Sequence, residues 1–157
     1  MSQLVIRYLL LFLFAFILQM TLVNFIEILQ WRPDLLLIVL VAFALRKGPD
    51  WGMTAGFLIG LLQDMVGTEL IGLAALSKTV AGFLAGVLSG KFAERAQFLL
   101  TLLISGLAHD FIYFFIYTLG EHFSLQSLII FYTIPNLMYT IIIGGLLYYF
   151  MEPLMAE

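Results

Sequence analysis

The chain has no cysteine, which excludes disulfides, thiolate nucleophiles and thiolate metal sites. Charge is scarce as well: Asp, Glu, Lys and Arg make up 11% of its 157 residues, against about 25% in soluble domains. So few charged side chains cannot cover a water-facing surface. Only seven residues are basic and the net charge is −3, so no cationic patch for nucleic acid exists. There is no HExxH zinc helix and no glycine-rich phosphate loop. Ser77 with Lys78, and His109 with Asp110, are sequence neighbours. Neighbours on a helix point about 100° apart, so neither pair is expected to form a catalytic dyad. No enzyme, cofactor or metal site is expected.

What the chain has is apolar length, with 63% hydrophobic residues and 15 Phe. A spanning helix takes about 20 apolar residues. Polar punctuation divides the sequence into segments at roughly 4–27, 33–45, 51–66, 70–89, 97–120 and 125–150. The expectation is one all-α transmembrane domain over residues 1–157 with six spanning helices, dissolved in membrane lipid. The first segment follows Arg7 and is long enough to span, so it reads as a retained signal anchor. Alternating sides place Arg7, Arg46, Lys47, Lys91 and Arg95 together and leave Arg32 on the other side. That imbalance puts both termini in the cytoplasm. Trp31 and Trp51 fall where interfacial aromatics belong. The second and third segments are short, and a re-entrant hairpin is the rival to two spans. It would bury Arg46 and Lys47 at its tip, at about 2.5–3.5 kcal/mol each.

Glycine recurs every fourth residue in two places: Gly52, Gly56 and Gly60, then Gly82, Gly86 and Gly90. Such stripes let helix backbones approach closely, so the third and fourth helices are expected to pack through them. Pro135 in the last segment removes an amide and predicts a kink, with Asn136 able to satisfy the freed carbonyls. Lys78, His109 and Asp110 fall inside the bilayer, where an unpaired charge is costly. Their depths predict a Lys78–Asp110 ion pair with His109 or Asn136 nearby and Asp64 as the competing partner. Asp34 and Asp64 fall near the outer rim, and Asp34 reads as a solvated helix cap.

Order and spacing carry a resemblance. Arg32-Pro33-Asp34-Leu35-Leu36-Leu37, then Arg46-Lys47-Gly48, then Gly56 through Leu61-Leu62-Gln63-Asp64 resemble the rod shape-determining MreD family. Ile71 through Leu76 and Val80 through Gly86 are similar to it too. The second half matches in character only, and Lys78 departs from the family pattern. The resemblance implies a non-enzymatic inner-membrane component of the bacterial elongation machinery. Its direct partner would be the single-span protein MreC, with MreB, RodA and a class B penicillin-binding protein reached indirectly. It also implies a fold similar to the S components of ECF vitamin transporters. Pro33, Asp34, Arg46 and Asp64 carry over as family signature. The alternative class is a small-molecule-binding transport subunit, whose pocket would draw on Asp34, Asp64, Lys78, His109, Asp110 and Asn136.

Overall fold

The structure, a computed structural model, describes every residue except 1, 30, 68–69, 121–123 and 156–157, and the side chains of these others except 2–4, 24 and 154–155. The elements are α1 (Ser2–Thr21), a 3-10 turn (Val23–Phe25), α2 (Leu35–Lys47), α3 (Pro49–Val66) and α4 (Leu73–Val87). Then come α5 (Glu94–Tyr117), α6 (Leu125–Leu128), a π-helical turn (Ile129–Thr133) and α7 (Ile134–Met155). The last three are continuous and form a single rod. No strand occurs among the described residues.

The bundle is built around α2. A helix that is apolar on every side must be surrounded, and Leu35 through Ala42 are all buried, as is Ala44. α1, α3, α4, α5 and α7 pack around it. On the α1 side, Phe43 meets Tyr8 and Phe12 edge to face, with ring centroids 4.9 and 5.5 Å apart. The exterior is apolar too: Leu9, Leu13 and Phe14 of α1, Leu58 and Leu62 of α3, and Ile142 and Leu146 of α7 are all exposed. The charged and amide side chains Asp34, Asp64, Lys78, His109, Asp110 and Asn136 are buried. This is the distribution of a molecule whose solvent is hydrocarbon. By length and composition, α5 and the α6–α7 rod each suffice to cross a membrane.

Hydropathy overran the backbone at the first connection. The segment expected to be helical to residue 27 leaves the helix at Thr21, although Leu22, Val23, Phe25 and Ile26 are apolar. The connection runs alongside the α6–α7 rod rather than over its end. Tyr139 donates its hydroxyl to the Ile26 carbonyl (2.6 Å) and Trp31 its indole N–H to the Phe131 carbonyl (3.0 Å). The Phe131 carbonyl lies four residues before Pro135, which has no amide proton to give it. Trp31 therefore takes the role expected of Asn136, which is engaged elsewhere. The π turn, closed by the Ile134 N–H on the Ile129 carbonyl, sits immediately before this proline.

α2 and α7 run parallel in fixed register. The Asp34 amide meets Thr140 Oγ1 at 3.2 Å, and twelve residues on Arg46 donates to the Glu152 carbonyl at 3.4 Å. The rod from Leu125 to Thr140 thus rises about 22 Å beyond the start of α2. The short α2 accordingly begins well inside the bundle, and Asp34 is buried there rather than solvated at a rim. Helix alternation gathers Arg7, Arg46, Lys47, Lys91 and Arg95 at one end. Arg32, toward the other, is paired with Glu27 at 2.9 Å.

α3 and α4 meet backbone to backbone. A methyl group on Gly52 would strike the Gly82 carbonyl, on Gly56 the Lys78 carbonyl, and on Gly82 the Gly52 carbonyl. On Gly60 it would lie 2.5 Å from the Ala74 oxygen, and on Gly86 it would strike Pro49. Each four-residue step along α3 matches a four-residue step back along α4. Gly90 is different. It lies beyond α4 with φ +71°, and a methyl there would meet nothing within 4 Å, so it serves the turn and not the helix contact. Two further close approaches, Gly106 on Leu137 and Gly144 on Leu102, join α5 to α7.

Replacing Gly56 by Leu is expected to destabilise the detergent-solubilised protein by about 3 kcal/mol or more, because the opposing atoms are backbone and cannot move aside. Gly145→Ala, whose new methyl would meet only Leu99 Cδ2 at 3.5 Å, is expected to unfold within about 0.5 kcal/mol of the parent. Unfolding in a denaturing detergent series reads both.

Candidate functional site: a buried polar cluster

The cluster begins at the N-terminus of α2. Asp34 is extended (φ −94°, ψ 93°), and its Oδ1 accepts the Leu37 N–H at 2.8 Å, a side-chain N-cap. The carboxylate therefore sits at the positive end of the helix dipole. Its Oδ2 accepts from Lys78 Nζ at 2.5 Å. Lys78 is 1% exposed, and its backbone abuts Gly56 while its side chain crosses to α2 and α5. The ammonium also lies 3.3 Å from His109 Nε2. An ammonium has donors only, so Nε2 must accept. The ring proton is then on Nδ1, which donates to Asp110 Oδ1 at 2.8 Å. Asp110 Oδ2 accepts from Asn136 Nδ2 at 3.2 Å, and Asn136 Oδ1 accepts the Arg32 N–H at 3.0 Å.

Five side chains from α4, α5, α7 and the α2 cap thus form one continuous network. The pairing differs from expectation. Lys78 pairs with Asp34, not Asp110, because α2 starts at the depth of Lys78 instead of at the rim. Asp110 is held by His109 and Asn136.

Asp64 lies outside the network. It accepts the backbone N–H groups of Gly72 (2.9 Å), Ala74 (3.0 Å) and Ala75 (3.0 Å). A carboxylate on α3 thereby caps the first turn of α4, whose own N-cap, Gly72, has no side chain to do it. It is neither a partner for Lys78 nor paired with Asp34.

A family model described as rod shape-determining protein MreD matches residues 2–157, essentially the whole chain. The chain belongs to the MreD family. No curated protein and no solved structure matches it. MreD is a membrane protein family with a role in determining rod shape, which agrees with the apolar exterior. The residues on which the resemblance rested are tie points between helices. Asp34 joins α2 to α4, Asp64 joins α3 to α4, and Arg46 joins α2 to α7. Pro33 is buried, its carbonyl accepting from Gln19 Nε2 at 3.3 Å.

Several contributors were not singled out in the sequence. Gln19 of α1 clamps the start of α2, since its Oε1 accepts the Leu35 N–H at 2.7 Å. Thr140 receives the Asp34 amide and returns its own proton to the Asn136 carbonyl at 3.0 Å. The four-residue spacing of Asn136 and Thr140 placed them on one face. Nothing local marks Gln19.

Lys78→Met would leave a buried carboxylate without its cation, and a loss of about 3–5 kcal/mol is expected. Asp64→Ala strips three amides of one acceptor and is expected to cost about 2–3 kcal/mol. Thermal unfolding in mild detergent, followed by circular dichroism, measures both.

Proposed function

We propose that this MreD-family protein is a non-enzymatic scaffold of the cell-elongation machinery, crossing the bacterial inner membrane six times with both termini in the cytoplasm. The gathering of five basic residues at one end of the bundle supports this orientation. Its direct partner in this reading is MreC, held through the latter's single spanning helix. MreB, RodA and a class B penicillin-binding protein are reached through MreC, so peptidoglycan synthesis is supported indirectly.

The observation that carries the reading is family membership over residues 2–157. It is joined by an economy in the structure: the chain has short connections and almost no mass outside its helices, so helix faces are what it offers a partner. The α3–α4 pair is the face we favour. Glycine contact between backbones makes it rigid, and Phe57, Leu58 and Leu62 are exposed on α3. A rigid ridge orients a docked helix without an ordering cost on its own side. The rival reading, a small-molecule pocket, draws on Lys78, Asp34, His109, Asp110 and Asn136, whose hydrogen bonds are spent on one another.

Phe57→Ala, Leu58→Ala and Leu62→Ala combined are expected to reduce the MreC recovered with the tagged protein at least tenfold, roughly 1.4 kcal/mol. Helical content should stay unchanged. Undiminished recovery of MreC lacking its spanning helix would refute docking within the membrane.

A further inference from the structure

The cluster is not isolated within the bundle. Gln97, Thr101, Ser105 and His109 recur every fourth residue along α5, so they form one stripe rising about 18 Å. Thr101, Ser105 and His109 are buried. At the basic end, Gln97 Nε2 donates to the Leu88 carbonyl and to Thr101 Oγ1, both at 2.9 Å, while its Oε1 accepts the Phe92 N–H at 3.0 Å. Two hydroxyls, Ser105 Oγ in the stripe and Thr133 Oγ1 beside the cluster, are buried with no hydrogen-bond partner among the described residues. Ser105 lies one turn from His109 toward the basic end. Thr133 lies one turn from Asn136 toward the opposite end.

An unpartnered buried hydroxyl costs about 1–3 kcal/mol, and alanine at Ser105 would avoid that cost. Two such groups flanking a lysine, a histidine and two carboxylates are positions that a bridging water completes. His109 is placed to relay between them. Its Nδ1 holds Asp110 at 2.8 Å, and its Nε2 lies 3.6 Å from Asp34 Oδ2 and 3.3 Å from Lys78 Nζ. The Tyr113 ring stacks beside it, with centroids 6.0 Å apart. These groups, from the α2 cap, α4 and α5, with Asn136 of α7 holding Asp110, are the charged and polar neighbours that face it.

We propose that this buried stripe is a proton path through the bundle, with waters at Ser105 and Thr133 and His109 as the relay. A proton arriving past Thr101 and Ser105 forms an N–H bond at the Nε2 lone pair as the Lys78 ammonium turns its own N–H off that nitrogen and stays on Asp34. The imidazolium keeps its Nδ1 proton on Asp110, whose negative charge stabilises it. The Nε2–H bond then breaks as an O–H bond forms at Asp34 Oδ2. That proton leaves toward Thr133 and restores the carboxylate. One proton enters, one leaves, and no other species is consumed. The activity is separate from scaffolding and stands or falls independently of partner binding.

The test is proton entry into vesicles containing the purified protein and a trapped pH dye, driven by a potassium diffusion potential with valinomycin. Wild-type vesicles are expected to acidify faster than protein-free ones. Ser105→Ala is expected to slow the protein-dependent rate at least tenfold, and His109→Gln to abolish it. Ser105→Ala removes no hydrogen bond to another described protein group, so its helical content should match the parent's, and it decides the matter even where His109→Gln fails to fold. A packing role alone leaves flux unaffected by this change. Wild-type flux equal to that of empty vesicles, or Ser105→Ala flux equal to wild type, would overturn the proposal.

Discussion

A lysine ammonium and an aspartate carboxylate buried against each other set the terms for this structure. Neither charge is tolerable alone in an apolar medium, so α2 and α4 must bring Asp34 and Lys78 to one depth. His109 and Asp110 on α5 and Asn136 on α7 complete the hydrogen bonding that a bare pair would leave unmet. Four of the six rods are thereby fixed at a single level. A pair of this kind is weak evidence for net stability, because hydrocarbon side chains of the same shape pack without a desolvation penalty. Its effect is on specificity: helices that could slide along one another in lipid have one register in which all these groups are satisfied.

Two other constraints make that register possible. The glycines of α3 and α4 let the two backbones touch, and the carbonyl that Gly56 accommodates is that of Lys78 itself. The second constraint is the brevity of α2, which starts level with Thr140 of α7. Its N-terminal amides would be unpaired at that depth. Asp34, Gln19 and Thr140 meet them. The same requirement recurs at α4, where the carboxylate comes from Asp64 of the neighbouring helix. Asp34 and Asp64 thus fall where helix ends are buried, the places where a membrane fold has unpaired backbone groups and no water to meet them.

The apolar runs marked the helical segments, and the glycine spacing marked the α3–α4 stripe, because both are periodic properties of one stretch of chain. Hydropathy did not report where α1 ends, since Leu22 to Ile26 are apolar for their surroundings and not for a helical backbone. The ion pair was misassigned for a related reason. Depth was counted from segment ends, which assumes that all helices start at the same level. The descent of residues 22–34 beside α7 is a long-range arrangement, held by Tyr139, Trp31 and Asn136, and no local pattern announces it. Gly90 shared the four-residue spacing but fell one turn past the end of its helix. Spacing identifies a face only while the helix continues.

The account depends most directly on the coupling between Asp34 and Lys78. A double-mutant cycle with Asp34→Asn and Lys78→Met, read by reversible unfolding in detergent, measures it. Direct pairing predicts a coupling of about 2 kcal/mol or more, with the double variant more stable than Lys78→Met alone. Additive losses, to within about 0.5 kcal/mol, would contradict the pairing and the helix register built on it.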